Sequence, residues 1–506
     1  MGVRSGAELP LQVLEAMGRS LSEADRRKRG EREAKEDHWI TMSEKNIPGS
    51  SGYALIGDKS LDFYKDPMHF CNSRIHTYGS RIFQARLLNK PTIFVCSVKG
   101  MKELLCGKIS IFEKDPSTIM HDLYGDNLVT TNEKINIFDP SYTPSMCKLF
   151  GDIICFTHGE EAQLLRLSLM QLFNSKTLET LRDYIDRVCT RNLKDLAQRE
   201  PVVIYEMFKR LATEIVLGIF LNVDAEESAA FSRQITELST QHWHGLISAP
   251  VNVKMSAWSS GFSQALEAKE KLLNIIKERL KSDNESFICK MKDVPFPEST
   301  SAAQHLLLFI SALIPKALAS LMTSFTIELA GSNKVHIRKY ARENEADLDH
   351  VLLEVERLWP SFIGGRRVAK QDTTLCGYTV PKGSQAMFIA FAIHRDPEIF
   401  ADPDEFQPER WSGRNAGQET LLCCFGNGPR NCIGIGLNNL ILKTAVGYLL
   451  NNYSWEMDPL NQSLHYKWLP VTRPREDIKI KFTSSSYKNH CSSSAHNSPV
   501  HPQRPV

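Results

Sequence analysis

One cysteine of this 506-residue chain lies in a setting that favours metal ligation. Cys432 belongs to the glycine-rich run Phe425–Gly434, FGNGPRNCIG, which directly precedes an apolar helical pattern that starts at Leu437. A thiol at a helix N-terminus, close to a guanidinium such as that of Arg430, has its thiolate favoured by the helix dipole and by the positive charge. Thiolates are strong ligands for iron. The pattern therefore predicts that Cys432 is a metal ligand.

The residues around Cys432 fit that role. Gly428 allows a tight turn that points backbone amides at the sulfur, Gly434 leaves space for a flat group against the helix, and Phe425 shields the sulfur from water. The pattern F-x-x-G-x-R-x-C-x-G resembles the haem-thiolate signature of the cytochromes P450. This resemblance implies that Cys432 is the proximal ligand of a haem b iron, with Phe425, Gly428, Arg430 and Gly434 shaping the haem-binding loop.

Three charged residues upstream of the loop match a second pattern of that family. Glu354 and Arg357 are three residues apart on a predicted helix, and Arg410 lies in the segment Pro408–Trp411 before the cysteine. In isolation, Glu354 and Arg357 would be an ordinary surface ion pair of little energetic value. Their order and spacing resemble the Glu-Arg-Arg network of the P450 family, which implies that the three side chains lock the segment carrying Cys432.

Two further arginines are candidates for binding the haem propionates by resemblance. The segment Gly364–Ala369, GGRRVA, is similar to the retinoic-acid hydroxylase branch, where the arginine before Val-Ala reaches a propionate. The resemblance assigns this role to Arg367, with Arg366 as the rival and two solvated arginines as the alternative. Arg166 occupies the position of the arginine for the other propionate, but the aromatic or histidine usual four residues earlier is Ala162 here.

The most apolar helical stretch, 305–329, departs from the family. P450 monooxygenases usually carry an acid and a threonine there, which supply protons during oxygen activation. The corresponding positions are Ala312, Leu313 and Ile314, so neither proton donor is present. Three alternatives stay open: proton delivery through water, an isomerase or dehydratase that acts on a lipid peroxide, or a catalytically degenerate haem-binding protein.

Composition places these residues in a large globular protein. The chain has 61 Lys and Arg against 59 Asp and Glu, 42% hydrophobic residues and 12 cysteines. This composition excludes collagen, a coiled coil and a fully disordered chain, and the near-neutral charge offers no field for binding nucleic acid. The cysteines show neither a disulfide framework nor zinc-ligand spacing, so most are expected to be free thiols in a reducing compartment.

The chain divides into three predicted parts. Residues 1–45 are polar and charged, hold no apolar run long enough to cross a bilayer, and are predicted to be a solvated helix or a disordered leader. Residues 46–483 are the predicted haem domain, and 484–506 are a polar tail that is predicted to be disordered. A eukaryotic microsomal P450 would begin with an anchor helix, so the polar start is interpreted either as a missing first exon or as the start of a soluble or peripheral enzyme.

An internal repeat of about 26 residues lies within 108–160. The run Lys108–Ser117, KISIFEKDPS, recurs as Lys134–Ser141, KINIFDPS, and each copy is followed by a Leu-aromatic-Gly-Asp tetrapeptide. Two copies are too few for a solenoid. A duplicated loop segment, as from two alternative exons translated together, is favoured over a chance likeness of loops. By resemblance to the family, this segment would lie over the distal pocket.

Hydrophobic periodicity predicts the elements that position these residues. Pro315 is expected to kink the apolar helix, and Lys316 argues against a bilayer span. A helix-rich first part and a mixed later part predict an α+β fold, mainly α with a small β region, and the resemblance implies the cytochrome P450 fold. The predicted segments are strands at 81–87 and 92–96 joined as a hairpin, helices at 164–173, 208–221, 265–280, 305–329 and 437–450, and strands at 379–380, 386–393 and 478–482.

The resemblance also implies a function. It predicts a haem-thiolate monooxygenase that hydroxylates a lipophilic small molecule, such as a retinoid, a sterol or another isoprenoid lipid, with dioxygen. Electrons would come from NADPH through a cytochrome P450 reductase or a ferredoxin. The family implies a location at the cytosolic face of the endoplasmic reticulum membrane, while the polar start leaves a peripheral or cytoplasmic enzyme open. His394 is interpreted as structural.

Overall fold

The predicted hairpin is present in the computed structural model, at one edge of a five-stranded sheet. Its strands are antiparallel, and the two residues between them, Leu88 and Asn89, have positive φ angles of 51° and 57°, as in the tight turns that suit twisted hairpins. The structure describes residues 45–54, 56–106, 138–140, 144–223, 229–246, 248, 252–255, 258–282, 287–298, 300–412 and 418–485.

Helices make up most of the described residues. They are numbered here in chain order: α1 (Ser60–Lys65), α2 (Pro67–Tyr78), α3 (Val98–Cys106), α4 (Pro144–Phe150), α5 (Gly159–Gln171), α6 (Ser175–Leu193), α7 (Ile204–Leu221), α8 (Ala229–His244), α9 (Gly261–Ser282), α10 (Phe287–Lys292), α11 (Ala302–Leu308), α12 (Ile314–Glu328), α13 (Val335–Glu343), α14 (Glu345–Leu358), α15 (Ala390–Ile393) and α16 (Ile435–Asn452).

The strands form one larger sheet and several small ones. The larger sheet has the order β1-β2-β10-β7-β3, in which only the β2–β10 pair is parallel, and a second sheet has the order β11-β14-β4. The strands are β1 (Ile82–Leu87), β2 (Lys90–Val95), β3 (Phe138–Pro140), β4 (Val202–Val203), β5 (Lys254–Met255), β6 (Trp258–Ser259), β7 (Gly364–Ala369), β8 (Thr373–Leu375), β9 (Tyr378–Val380), β10 (Gln385–Ile389), β11 (Tyr453–Met457), β12 (Tyr466–Lys467), β13 (Arg473–Pro474) and β14 (Lys479–Ser484).

The main hydrophobic core lies between the long helices. It joins α7, α12 and α16 through fully buried side chains such as Phe208, Phe325 and Ile441. A smaller apolar cluster packs around the sheet and includes Phe83 and Phe94, whose rings stack 5.0 Å apart. Burial of this much apolar surface is the dominant favourable contribution to folding. The fold is mainly α with a small β region, as predicted.

The predicted apolar helix is present, but it is not a regular α-helix. A π-helical segment, Phe309–Leu313, separates α11 from α12 and ends two residues before Pro315, whose ring and missing N–H oppose regular bonding to the preceding turn. The run Ala302–Glu328 is long and apolar enough to cross a membrane by length and composition, yet 88% of its most apolar window is buried inside the protein. It therefore serves as a core helix in this structure.

One boundary differs from the expectation. The predicted strand 386–393 ends at Ile389, and α15 follows at once, because the backbone turns away from the sheet toward His394. The second copy of the repeat supplies β3, which pairs with β7 through Phe138 and Ala369. Residues 107–137, the polar start through residue 44 and the tail from residue 486 lie outside the described residues, and their predicted character stays a prediction.

Candidate functional site

The loop before α16 holds the Cys432 sulfur close to backbone amides. A short 3-10 turn, Gly428–Arg430, precedes the cysteine, and the Cys432 N–H donates to the Phe425 carbonyl at 2.7 Å, which closes the loop. The Gly434 N–H lies 3.4 Å from Cys432 Sγ, in the first turn of the helical segment that leads into α16. The sulfur is therefore held at a helix N-terminus, with its nearest amide donor supplied by Gly434.

Gly428 is required by both backbone conformation and space. Its φ is +67°, and a Cβ added there would lie only 2.4 Å from the Leu105 carbonyl oxygen at the end of α3. Gly426 also has a positive φ, of 75°. Two left-handed residues so close together fold the loop back on itself, which only glycine adopts at little cost. Gly428 thus fixes the loop against α3.

Burial outweighs the helix dipole at Cys432. Burial raises the pKa of the Cys432 thiol above its usual range, and the Gly434 N–H and the charge of Arg166 offset only part of this increase. The backbone amide and a nearby arginine do favour the thiolate, but the arginine is Arg166 and not Arg430, and desolvation disfavours the charged form more strongly. A metal ion would reverse this balance, since a coordinating thiol loses its proton on binding.

Two arginines secure the loop against α5 and the segment before it. Arg166 on α5 donates from Nη2 to the Asn431 carbonyl at 2.7 Å and to its side-chain oxygen at 3.0 Å. Arg430 instead donates to the carbonyls of Ile154 at 3.4 Å and Thr157 at 2.9 Å. The cation that acts on the Cys432 sulfur is therefore Arg166, and Arg430 ties the loop to the segment before α5.

The structure brings Glu354, Arg357 and Arg410 together in the interior. Glu354 is fully buried on α14 and accepts from Arg357 Nη2 and Nε at 2.8 and 2.9 Å. Arg410 donates from Nε to Glu354 at 3.0 Å, and the Gln407 N–H and the Trp411 indole donate to it at 2.9 and 3.0 Å. A buried carboxylate with this many donors is well compensated, and the contacts fix the segment 407–411 against α14.

Sequence reasoning did not foresee Trp411 and Gln407 as partners of Glu354. The available signal was the indole directly after Arg410, since a buried indole N–H usually finds an acceptor. Arg357 has further acceptors, the carbonyls of His394 and Glu405 at 3.0 and 2.9 Å. Its guanidinium thus links α14 to the end of α15 and to the following loop.

His394 joins the same network to the cysteine loop. The Cys423 N–H donates to His394 Nε2 at 2.8 Å, which leaves Nδ1 as the protonated nitrogen, and Nδ1 lies 3.1 Å from the Arg357 carbonyl. Burial lowers the pKa of His394 to about 3, in agreement with a neutral ring. Next to it, the Cys424 thiol donates to Glu356 at 3.5 Å, and burial raises the pKa of Glu356 to about 7. His394 and Glu356 thus hold Cys423 and Cys424 at the start of the cysteine loop.

The two arginines of β7 have different surroundings. Arg367 is buried, donates to the Arg366 carbonyl at 2.8 Å and has its guanidinium carbon 5.6 Å from the Phe388 ring centroid. Arg366 is half-buried, burial lowers its pKa, and its guanidinium makes no hydrogen bond or ion pair within the part of the chain that the structure describes. Successive residues of a strand point to opposite faces, so only one of the two guanidinium groups can face a given ligand.

The π-helical segment contains two of the three positions where the proton donors usual in the family are missing. Ala312 and Leu313 lie inside it, and Ile314 begins α12. Ser311, directly before them, donates to the Leu307 carbonyl at 2.7 Å and lies 2.8 Å from His242 Nδ1. His242 Nε2 lies 2.9 Å from the Leu149 carbonyl, so this histidine connects α8, α4 and the π-helical segment.

The chain is similar to known proteins along most of its length. A family model described as Cytochrome P450 matches residues 341–482. Beta-amyrin 11-oxidase of Glycyrrhiza uralensis is 25% identical, with 86% of this chain and 90% of the relative covered, and beta-amyrin 28-monooxygenase of Barbarea vulgaris is 24% identical, with 83% and 89% covered. Among solved structures, retinoic acid-bound cyanobacterial CYP120A1 is 23% identical and superimposes with a TM-score of 0.72, covering 88% of this chain and 100% of that one.

The chain belongs to the cytochrome P450 superfamily. Its fold is the P450 fold, as the resemblance implied, and its class is that of the P450 monooxygenases, which are haem-containing oxidoreductases. The family model covers the segment from α13 to β14, which contains both the Glu354 network and the Cys432 loop.

The residues beside Cys432 fit a haem. A Cβ added at Gly434 would lie 3.7 Å from Asn438 Nδ2 and 3.9 Å from Cys432 Sγ, which are ordinary contact distances, so no protein contact demands glycine there. The φ of Gly434 is −97°, which any residue adopts. Asn438 Oδ1 is also buried without a hydrogen-bond partner among the described residues. Open space next to a thiol is what a flat iron-bearing cofactor would need.

Proposed function

We propose that this protein is a haem-thiolate monooxygenase that hydroxylates a lipophilic small molecule, with Cys432 as the proximal ligand of haem b. The observation that carries the proposal is the position of the Cys432 sulfur, 3.4 Å from the Gly434 N–H in a loop fixed by the Glu354 network. A thiolate-ligated haem supplies an electron-rich iron that can activate dioxygen. Phe425 would cover the sulfur, and Gly428 and Gly434 would set the space beside it.

The chain's arginines would hold the cofactor's carboxylates. Arg366 and Arg367 are both candidates on β7, and the half-buried Arg366 guanidinium makes no ion pair among the described residues. Arg166 contacts Asn431, the residue before Cys432, so its cation lies next to the proposed ligand. Guanidinium groups pair well with carboxylates in such partly buried places. Arg430 would act by fixing the loop.

The proposed substrate is an isoprenoid lipid, such as a retinoid or a sterol. Beta-amyrin and retinoic acid, which are named for two relatives and one structural neighbour, are both isoprenoid compounds. We further propose that electrons come from NADPH through a reductase or a ferredoxin. The proposed location is the cytosolic face of the endoplasmic reticulum membrane, as in microsomal members of the family, with a peripheral or cytoplasmic enzyme as the alternative.

The test of the haem assignment is spectroscopic. The reduced protein with carbon monoxide is expected to show the red-shifted Soret band of thiolate ligation. Cys432→Ser should lose this band, while Cys147→Ser, which changes an exposed cysteine, should keep it. An unshifted band in folded wild-type protein, or a band that survives Cys432→Ser, would contradict the proposal.

A second candidate function is favoured by the residues of the π-helical segment. Ala312, Leu313 and Ile314 offer neither the acid nor the hydroxyl that dioxygen activation uses, whereas an isomerase or dehydratase of a lipid peroxide has no need of them. The double variant Ala312→Glu/Leu313→Thr should separate the two. Increased NADPH-dependent turnover of a lipid substrate would favour the monooxygenase, and loss of turnover of a lipid hydroperoxide would favour the isomerase.

The third possibility is a protein that binds haem but catalyses neither reaction. If the wild-type protein binds haem and a lipid but shows neither NADPH-supported nor peroxide-supported chemistry, and the double variant shows none either, both enzyme functions are excluded. Substrate binding can be followed separately from turnover through the shift that a bound ligand causes in the Soret spectrum. Retinoic acid and a triterpene would be the first compounds to test.

A further inference from the structure

A cavity of about 900 Å³ lies between α7 and α8, away from the Cys432 loop. All of its lining residues belong to the segment 199–244, so it shares no residue with the proposed haem site. Three cations line it, Arg199, Lys209 and Arg210, together with the two carboxylates of Glu206 and Glu237. Lys209 pairs with Glu206 at 2.6 Å. Arg210 makes no ion pair or hydrogen bond within the described part of the chain.

A buried lysine stands beside this cavity. Lys316 on α12 is only 4% exposed, and within the described residues it makes no hydrogen bond or ion pair. The charged groups that act on its ammonium, Lys209 and Glu206, both line the cavity, and Lys316 acts in turn on His244, which also lines it. A buried ammonium without a partner is costly, and such groups normally pair with an anion.

The charges around the cavity leave an excess of positive charge. Among the described residues, the cations of Arg199, Lys209, Arg210 and Lys316 face two carboxylates, which leaves two positive charges with His244 neutral. Two further cations, Lys467 and Arg473, act on His244 from the side of β12 and β13. A monocarboxylate would neutralise one charge, whereas the dianion of a phosphomonoester would neutralise both.

We propose that the cavity between α7 and α8 is a binding site for a phosphomonoester, with Arg210 and Arg199 as its cationic contacts and Lys316 as a buried cation behind its wall. The site is separate from the proposed haem site and does not depend on it. The volume exceeds that of a bare phosphate, so it can hold an organic group as well. Both a soluble phosphate ester and the headgroup of a lipid phosphate carry this chemistry.

The test is titration calorimetry of the full-length protein with inorganic phosphate and with glycerol 3-phosphate, at an ionic strength kept constant with chloride. Glycerol 3-phosphate should bind, and Lys316→Met should weaken binding at least tenfold. Arg210→Ala, an exposed position where misfolding is no concern, should weaken it at least threefold. Lys281→Ala, which removes an exposed cation at the end of α9, is the matched control and should leave binding unchanged.

Thermal unfolding gives a second readout. Without phosphate, Lys316→Met should unfold at a higher temperature than the wild type, because the variant no longer buries an unpaired charge. Glycerol 3-phosphate should raise the unfolding temperature of the wild type and not that of Lys316→Met.

Vesicles distinguish the two sources of the phosphate. Sedimentation with phosphatidylcholine vesicles that contain phosphatidic acid, and not with phosphatidylcholine alone, would identify a lipid headgroup, provided that Lys316→Met abolishes it. Binding of glycerol 3-phosphate without sedimentation would identify a soluble ester. Absence of binding to either, or equal binding by Lys316→Met and the wild type, would overturn the proposal.

Discussion

The Cys432 loop and the helical run Ala302–Glu328 bury polar groups in different ways. Around the loop, nearly every buried group has partners: Glu354 accepts from four residues, and both ring nitrogens of His394 are used. Along the helical run, Lys316 and the Thr323 hydroxyl are buried without a partner among the described residues. The loop therefore has one well-determined conformation, which a metal ligand needs.

The contrast also separates the parts of the chain that keep the family's pattern from those that depart from it. The sequences of the loop and its network resemble the family's motifs, whereas the helical run has neither the acid nor the hydroxyl at Ala312, Leu313 and Ile314. The residues that are proposed to hold the cofactor are thus fixed by hydrogen bonds, while the residues that usually deliver protons are absent. Substitutions in the two regions should therefore differ in how much they change the free energy of unfolding and in how that change depends on pH.

The largest effect is expected at Glu354. Glu354→Ala leaves the guanidinium of Arg357 buried without its carboxylate, which should lower the free energy of unfolding by about 3–5 kcal/mol. Denaturant unfolding followed by circular dichroism measures this change. Glu345→Ala on the same helix removes an exposed pair with Lys443 and should cost no more than about 1 kcal/mol. Equal costs at both positions would contradict the importance of the buried network.

The two regions should respond to pH in opposite directions. Burial, with a smaller contribution from Asp349, raises the pKa of Glu356 from 4.5 to about 7, so the folded state holds a proton that the unfolded state releases. The stability contributed by this bound proton is present below pH 4.5 and is lost as the pH rises to about 7. Relative to Glu356→Gln, the wild type should therefore lose up to about 3 kcal/mol over this interval.

At His242 the sign is reversed. Burial lowers the pKa of His242 from 6.5 to about 4, with added repulsion from Lys269 and Lys316, so the unfolded state binds a proton first. Stability is complete above pH 6.5 and is lost as the pH falls toward 4, by up to about 3 kcal/mol relative to His242→Gln. Unfolding curves of the wild type, Glu356→Gln and His242→Gln across this pH range test both predictions. Parallel pH profiles of wild type and variant would refute either assignment.

The smallest effect in this series separates a glycine of the cysteine loop from a glycine on α16. Gly428→Ala forces a side chain into a left-handed conformation and against the Leu105 carbonyl, which should cost about 1–3 kcal/mol. Gly447→Ala, in the middle of α16, places a Cβ where nothing lies within 4 Å and should stabilise the protein by about 0.5–1 kcal/mol. Thermal unfolding of the two variants gives the sign of each change, and destabilisation by both would show that α16 tolerates no added volume.

Residue spacing in the sequence predicted much of the Cys432 loop but few of the contacts that other segments make with it. The offsets from Phe425 to Gly434 and from Glu354 to Arg357 are local, so a sequence pattern can hold them. The contact of Arg166 with Asn431 spans 265 residues, and the contact of His394 with Cys423 depends on where α15 ends. Such contacts follow from packing, which a pattern of residue types does not encode.

The balance of effects on the pKa of Cys432 was not predictable from the sequence for a related reason. A helix N-terminus and a nearby arginine are visible in the sequence, but the degree of burial is not, and burial has the larger effect on the pKa of the thiol. Likewise, the sequence placed Lys316 in an apolar helix without indicating that no carboxylate pairs with it in the described structure. A charge pattern in the sequence predicts which protonation state a neighbouring charge favours. The desolvation that burial causes decides whether that preference prevails in the folded protein.

The imidazole of His394 has a consequence for hydrogen exchange. Its two nitrogens span the Arg357 carbonyl on α14 and the Cys423 N–H at the start of the cysteine loop, and Arg357 returns a bond to the His394 carbonyl. The loop therefore cannot open by itself, because separating Cys423 from His394 also uncovers buried groups of α14. The amides of the cysteine loop and the C-terminal half of α14 should exchange with solvent in one cooperative opening, as a single unit of the native-state landscape.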